Sequence, residues 1–302
     1  MNWQQKTLRR DIQCAGIGLH CGARVEMRLR PAPPDTGIVF RRLDQNGVKI
    51  PARQENLSRS NLATTLSVDG ISISTVEHLL AAASGLGVDN LIVEVDGPEV
   101  PAMDGSAAPF IYLMHEAGLK HQQAARQFIK ILEPIRVDTD DKFVAVYPAD
   151  HFKISYTISF EHPLIGEQRQ TFVINSRCFT EHIAPARTFG FLKEVETLRQ
   201  NGLALGGSMD NAVVIGDNSI LNNKLRFQDE FVRHKILDAI GDLMLLGAPL
   251  LGHVVAYRAG HAMHTSLVEA ILAAPEAWCP LAEEKVVYDV AASSPELAAA
   301  SV

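Results

Sequence analysis

The feature that most constrains the fold is an order of elements that occurs twice: each half of the chain reads as short strands, a helix, a strand and a second helix. In the first half, stretches such as Val25–Arg30 and Ile38–Arg42 are separated by turn clusters such as Pro31-Ala32-Pro33-Pro34-Asp35, which predicts an antiparallel meander over Lys6–Val68. Ser74 is placed to cap a helical run over His78–Ser84, with Glu77 at the third helical position and Gly85 and Gly87 at its end. A strand over Asn90–Val95 and a helix over Ala108–Ala117, ended by Gly118, follow, and the polar run Lys120–Arg126 reads as a linker. The second half begins with strands Phe128–Val137, Phe143–Tyr147, Phe152–Phe160 and Gln170–Asn175. It continues with a long helix over Asp229–Leu246, a strand over Gly252–Tyr257 and a helix from about His261 to Ala273. This order predicts an α+β chain of two similar domains, each a mainly antiparallel sheet with two helices, packed as a four-layer β-α-α-β sandwich. The expected domains are residues 1–122 and 127–290, the second with a hydrophobic insert at about 188–216 and the long helix at 229–246. Residues 291–302, rich in Ala, Ser and Pro, are expected to form a disordered tail.

With 302 residues, 47% of them hydrophobic, the chain can bury two modest cores. Lys and Arg total 28 against 35 Asp and Glu, and the net charge of −7 carries no basic block able to neutralise a run of phosphates, which excludes nucleic acid as an expected partner. The four cysteines, Cys14, Cys21, Cys178 and Cys279, are scattered and form no C-x-x-C pair, so a reducing cytoplasm is expected. The N-terminus lacks the apolar core of a signal peptide and no apolar run reaches 18 residues, so the expectation is a soluble monomer without a transmembrane segment.

The most informative segment for chemistry is Phe231–Asp242, where His234, Asp238 and Asp242 recur every four residues on one helix face. Their neighbours Phe231, Val232, Ile236, Leu237, Ile240, Leu243 and Met244 are apolar around much of the circumference, which argues for a buried helix whose acidic stripe needs partners. A cation supplies one. Zinc hydrolases commonly use three N/O ligands and leave a fourth position to water, so His234 and Asp238 need one more histidine. Glu77-His78, on an otherwise apolar helix, is the leading candidate: His78 as ligand and Glu77 as the carboxylate that takes a proton from the bound water. His261, in Ala259-Gly260-His261, can stabilise the developing charge and protonate the leaving amine if Asp242 keeps it cationic.

These residues lie within longer strings: Gly16-Ile17-Gly18-Leu19-His20, Arg30-Pro31-Ala32-Pro33, Ser74-Thr75-Val76-Glu77-His78-Leu79, Pro101-Ala102-Met103-Asp104-Gly105-Ser106-Ala107, Ala186-Arg187-Thr188-Phe189-Gly190-Phe191 and Asp229–Asp238. In these, over nearly its whole length, the chain resembles the UDP-3-O-acyl-N-acetylglucosamine deacetylases, zinc enzymes of the committed step of lipid A synthesis. The resemblance implies zinc on His78, His234 and Asp238, with Fe²⁺ an acceptable substitute, Glu77 as general base, His261 with Asp242 behind it, and an oxyanion hydrogen bond from Thr188. Thr188 rests on the resemblance alone. The implied substrate is a UDP-N-acetylglucosamine with a hydroxyacyl chain, its diphosphate or sugar met by Lys142 and Lys235, and Phe160 near the nucleotide. The insert, with Phe189, Phe191, Leu192, Val195, Ala212 and Val214, supplies a greasy passage for the acyl chain. Two departures stand out: Ala63 occupies a position that is cysteine in some members, and Ala262-Met263-His264-Thr265 replaces an Asn-containing helix start, which is expected to alter local capping only. Two other readings stay open from the residues alone. One is a non-catalytic module whose metal is closed by Asp242 or His261. The other is a peptidase-type zinc hydrolase, against which the missing H-E-x-x-H speaks.

Overall fold

A computed structural model of the chain describes residues 3–222 and 224–282. The chain is α+β. In its first half the strands Ile12–Ile17, Arg24–Pro31, Leu91–Val95, Ile38–Arg42 and Val48–Pro51 lie side by side in that order. Period-two patterning sets their faces: Val25, Met27 and Leu29 are buried while Glu26 and Arg28 between them are exposed. The order corrects the expected meander. Leu91–Val95 enters between two strands of the predicted run and lies parallel to Ile38–Arg42. A parallel neighbour needs a long crossover, which here contains helix α1 (Glu77–Leu86).

Every residue of α1 except Ser84 is buried, as a helix apolar around its circumference requires, and Gly87 closes it in the left-handed conformation at φ 67°. Its start departs from the predicted capping box. Thr75 takes φ 57°, Val76 occupies the cap position without a side-chain bond, and Ser74 Oγ donates to the Pro98 carbonyl at 3.3 Å instead. Glu77 is therefore the first helical residue rather than the third, and its carboxylate turns inward. Helix α2 (Ala108–Ala117) covers the predicted span and ends at Gly118. The run read as a linker instead forms the strand Leu119–Ala125, antiparallel to Gln4–Leu8. One of its polar residues serves the interior: buried Gln122 accepts from Asn90 Nδ2 and donates to the Ala32 carbonyl, at 2.8 and 2.9 Å.

The second half is built on a seven-stranded sheet in which Leu250–Tyr257 runs antiparallel to Lys142–Tyr147 and parallel to Phe152–Ser159 and Phe128–Ile131. The predicted strand Phe128–Val137 breaks into Phe128–Ile131 and Ile135–Thr139, which occupy different places in that sheet. Pro134 between them has no N–H to continue a ladder. Helix α3 (Ser176–His182) precedes the insert, where strands Phe189–Phe191 and Val213–Ile215 pair in parallel around helix α4 (Leu192–Gln200). Helix α5 spans Glu230–Leu243, shorter than the predicted 229–246, because Met244–Leu246 tighten into a 3₁₀ turn that Gly247 ends at φ 79°. Helix α6 is His261–Ala273. The predicted tail 291–302 lies outside the described residues.

Helices α1 and α5 pack face to face, with α2 beside α1 and α6 beside α5. Gly241 sets how closely they approach: a Cβ there would lie 2.1 Å from the carbonyl oxygen of Glu77. The two halves thus meet along the helix faces that carry the candidate chemistry.

Candidate active site

The four-residue spacing stacks His234, Asp238 and Asp242 on the face of α5 turned to α1, and α1 presents Glu77 and His78 to it. His234 Nε2 and His78 Nε2 lie 3.3 and 3.5 Å from Asp238 Oδ1. All three side chains are buried, and their candidate ligand atoms lie within 4.8 Å of one another. Asp238 Oδ2 accepts from Lys235 Nζ at 2.8 Å, whereas Oδ1 is buried with no hydrogen-bond partner. A carboxylate oxygen left so, between two imidazole nitrogens, is strongly unfavourable in a dry interior unless a cation meets it. Two nitrogens and one carboxylate suit zinc, and iron would accept them.

The surroundings prepare these donors. His234 Nδ1 donates to the Ala186 carbonyl at 3.1 Å, which turns its Nε2 lone pair to the unpartnered oxygen. Burial pushes the His234 pKa down to about 4, so the ring is neutral as a ligand must be. Burial opposes ionisation of Asp238, but the neighbouring imidazoles and Lys235 outweigh it and hold its carboxyl well below the usual range.

Glu77 and His261 stand beside this trio. Glu77 Oε2 accepts the Thr64 N–H at 3.1 Å, and Oε1 lies 3.9 Å from His261 Nε2. Burial raises the Glu77 pKa, which makes it a stronger base than a solvated carboxylate. His261 Nδ1 donates to Asp242 Oδ2 at 2.8 Å. Burial alone would lower the His261 pKa, but Asp242 and Asp238 outweigh it and raise it to about 9, so the ring is an imidazolium at neutral pH. Asp242, despite complete burial, is held at about 2 chiefly by His261, and Thr64 Oγ1 donates to its other oxygen.

The turn that aims Glu77 and His78 is strained. Thr75 is β-branched and left-handed at φ 57°, a conformation costing on the order of 1–3 kcal/mol. Its Oγ1 donates to Glu99 Oε1 at 2.7 Å, and the fully buried Glu99 also accepts the His20 and Cys21 N–H groups at 2.9 and 2.8 Å. One carboxylate therefore fixes both the strained turn and the loop that brings His20 to the site.

Glu77, His78, His234, Asp238 and His261 line a pocket of about 190 Å³, which Lys235, Thr188, Phe189, His20 and Leu62 help to wall. Thr188 is pinned by its backbone, its N–H donating to Gly105 and its carbonyl accepting from Val213, each at 2.8 Å. Phe189 packs edge-on against Phe231 and lies 6.2 Å from the His234 ring. Phe160 meets Phe189 and Phe191 at 5.8 and 5.9 Å, so an aromatic cluster joins the pocket to the insert. In the insert Val195, Ala212 and Val214 are half-buried and Leu192 is exposed. Lys142 is exposed at the start of its strand and is not among the residues that wall the pocket. A larger hollow of about 560 Å³ opens at the C-terminal ends of α1 and α5, among Lys6, Arg126, Phe128 and Leu243, and contains none of these groups.

A model of the UDP-3-O-acyl N-acetylglycosamine deacetylase family matches residues 5–273. The chain belongs to that family. Proteins called UDP-3-O-acyl-N-acetylglucosamine deacetylase from Syntrophotalea carbinolica and Myxococcus xanthus are each 51% identical to it, over 91% and 92% of this chain and 89% of their own. One of the same name from Idiomarina loihiensis is 50% identical over 91% of this chain and 92% of its own. The family match spans all of the strings singled out in the sequence and reaches the whole of α6.

Residue patterns alone missed Thr64, Glu99, Tyr156 and His264. His264 had a readable signal, because His261-x-x-His264 places two imidazoles on one face of α6. It was expected to affect capping only. In the structure Gly260 holds the cap position without a side-chain bond, and His264 turns inward to Asp242.

Proposed function

We propose that the chain is a metal-dependent amide hydrolase that removes acetate from UDP-3-O-(hydroxyacyl)-N-acetylglucosamine, the committed step of lipid A synthesis. Family membership supports the substrate class. The observation that carries the chemistry is the unpartnered Asp238 Oδ1 between the Nε2 atoms of His78 and His234, with Glu77 and His261 beside it. His78, His234 and Asp238 would hold one Zn²⁺ or Fe²⁺. When bound, such an ion polarises the amide carbonyl and lowers the pKa of coordinated water toward about 7.

The chain's own groups do the rest. Glu77 takes a proton from the attacking water as its oxygen bonds to the acetyl carbon and the carbonyl π electrons move onto oxygen; the carbon–nitrogen bond breaks when they return. The imidazolium of His261, fixed through Nδ1 by Asp242, directs Nε2–H at the charge developing on the carbonyl oxygen, and Thr188 donates a second hydrogen bond there. One proton passes to the departing sugar nitrogen from the Glu77–His261 pair, giving acetate and the free amine. Both groups are buried, which keeps bulk water from competing for these protons.

Lys235 and Lys142 meet the sugar or diphosphate, and Phe160 lies toward the nucleotide. The acyl chain runs along Phe189, Phe191, Leu192, Val195, Ala212 and Val214, where each buried methylene contributes roughly 0.8 kcal/mol. Asp242 accepts from Thr64, His261 and His264, which supports a fourth metal position free of protein ligands. Among the described residues no helix is long and apolar enough to cross a membrane. We expect a monomer acting in the cytoplasm. The test measures acetate release from the acylated UDP-sugar before and after chelation and re-addition of one equivalent of Zn²⁺. Rate lost and restored with the metal is expected, and a rate indifferent to chelation at zero bound metal would sink the reading.

A further inference from the structure

The network behind His261 extends beyond Asp242. Asp242 Oδ2 lies 2.8 Å from His261 Nδ1 and also 2.8 Å from His264 Nδ1, and its Oδ1 accepts from Thr64 Oγ1. His264 Nε2 is 2.8 Å from Tyr156 Oη, which is 2.8 Å from the carbonyl of Ala259, two residues before His261. His264 and Tyr156 are 1% and 0% exposed. An ionised carboxylate only accepts, so both imidazoles must present Nδ1–H to it. A histidine that merely filled space would leave its ring nitrogens without partners at such burial, whereas both nitrogens of His264 are engaged. The Asp242 carboxylate cannot rotate without breaking three bonds, one from Thr64 and two from α6, and the Tyr156 hydroxyl lies between His264 Nε2 and the backbone carbonyl that precedes α6.

We propose that His264, braced by Tyr156, is a positioning residue that locks the Asp242 carboxylate and through it the ring of His261. The inference rests on the reading of His261 given above. Loss of such an outer partner typically lowers activity 10- to 100-fold while leaving the groups it supports in place.

The test compares acetate release and bound zinc in zinc-loaded wild type, His264→Leu, His264→Asn, His261→Ala and the double variant His261→Ala/His264→Leu. His264→Leu is expected to lower kcat about 10- to 100-fold with full zinc and little change in KM. His264→Asn, whose amide nitrogen can take the place of Nδ1, recovers most of that loss. In the His261→Ala background His264→Leu adds less than about twofold, because residues acting through one another are not additive. An unchanged kcat in His264→Leu, beside a crippled His261→Ala, overturns the inference alone, as does an equal loss in both backgrounds, the mark of a structural role. Full rate in His261→Ala would overturn the reading of His261 and the inference with it. Should His264→Leu not fold, Tyr156→Phe carries the test. Removal of that one hydroxyl is expected to lower kcat about fivefold, the worth of one hydrogen bond, in the wild-type background and not in His261→Ala. Equal loss in both overturns it.

Discussion

Glu77→Gln separates what the active-site carboxylate does for the reaction from what it does to the fold. Glutamine keeps the size of the side chain and an oxygen for the Thr64 N–H, but it cannot take a proton from water. Loss of a general base slows turnover about 10²- to 10⁴-fold, which is roughly 3–5 kcal/mol of barrier. Stability should move the other way. Burial raises the Glu77 pKa, so folding disfavours its ionised form and the wild type carries that penalty at pH 7. The sign follows from linkage. An acid whose folded pKa is raised favours the fold at pH below its ordinary 4.5, and that contribution fades as pH rises through the unfolded and then the folded value. Metal-free Glu77→Gln should therefore melt higher than metal-free wild type at pH 7, the difference shrinking as pH falls toward 4.5. The assays are acetate release with bound zinc on the loaded protein and thermal melts on the stripped one. A zinc-loaded variant that keeps its rate within about tenfold of wild type would remove Glu77 from the role of base.

His234→Ala is expected to lose bound zinc and activity together, as metal analysis beside the rate assay would show; an active, zinc-replete variant would mean the ligand is misassigned. Gly241→Ala drives a Cβ to within 2.1 Å of the Glu77 carbonyl. Overpacking of about 1–3 kcal/mol should outweigh about 1 kcal/mol of gained helix propensity, so the melting temperature and kcat both fall, and a stabilised, fully active variant would refute the close approach. Asp242 falls to about 2 from 3.8 and His261 rises to about 9 from 6.5. Their mutual stabilisation of the metal-free fold is thus fullest between pH 3.8 and 6.5, lost as pH drops through about 2 or rises through about 9. The melting difference between wild type and Asp242→Asn, followed across pH, should trace that plateau, and a difference flat to pH 10 would contradict it.

How much of this was readable follows from which interactions are local. His234, Asp238 and Asp242 share a helix face by spacing alone, and the apolar residues around them announce burial, so this buried polar face of α5 was legible in the sequence. The α+β class and the spans of α2 and α6 were legible for the same reason, since helix periodicity and terminal glycines are local signals. The capping box at Ser74 failed because Glu99, 24 residues from Thr75, holds that residue in a left-handed turn that no neighbour dictates. Leu91–Val95 was legible as a strand but not in its place in the sheet, which depends on a crossover through α1. His264 carried a local signal, yet its role is set by Asp242, 22 residues away on another helix.

The site therefore belongs to the contact between two helices rather than to either half. Glu77, His78, His234, Asp238, Asp242 and His261 are each under 7% exposed, and gathering so many ionisable groups in a dry interior opposes folding unless each finds a partner. Lys235, Thr64, Ala186 and His264 supply partners for most of these groups, while Asp238 Oδ1 is fully buried without one. Positive charge at that oxygen would offset the surplus of acidic groups, so binding of the proposed metal would be coupled to the docking of α1 on α5. Because Gly241 lets the Glu77 backbone approach α5 so closely, a shift of either helix would move Glu77 relative to His234 and Asp238. On the proposed reading, the same packing that brings these charges together holds the base and the metal donors in one register.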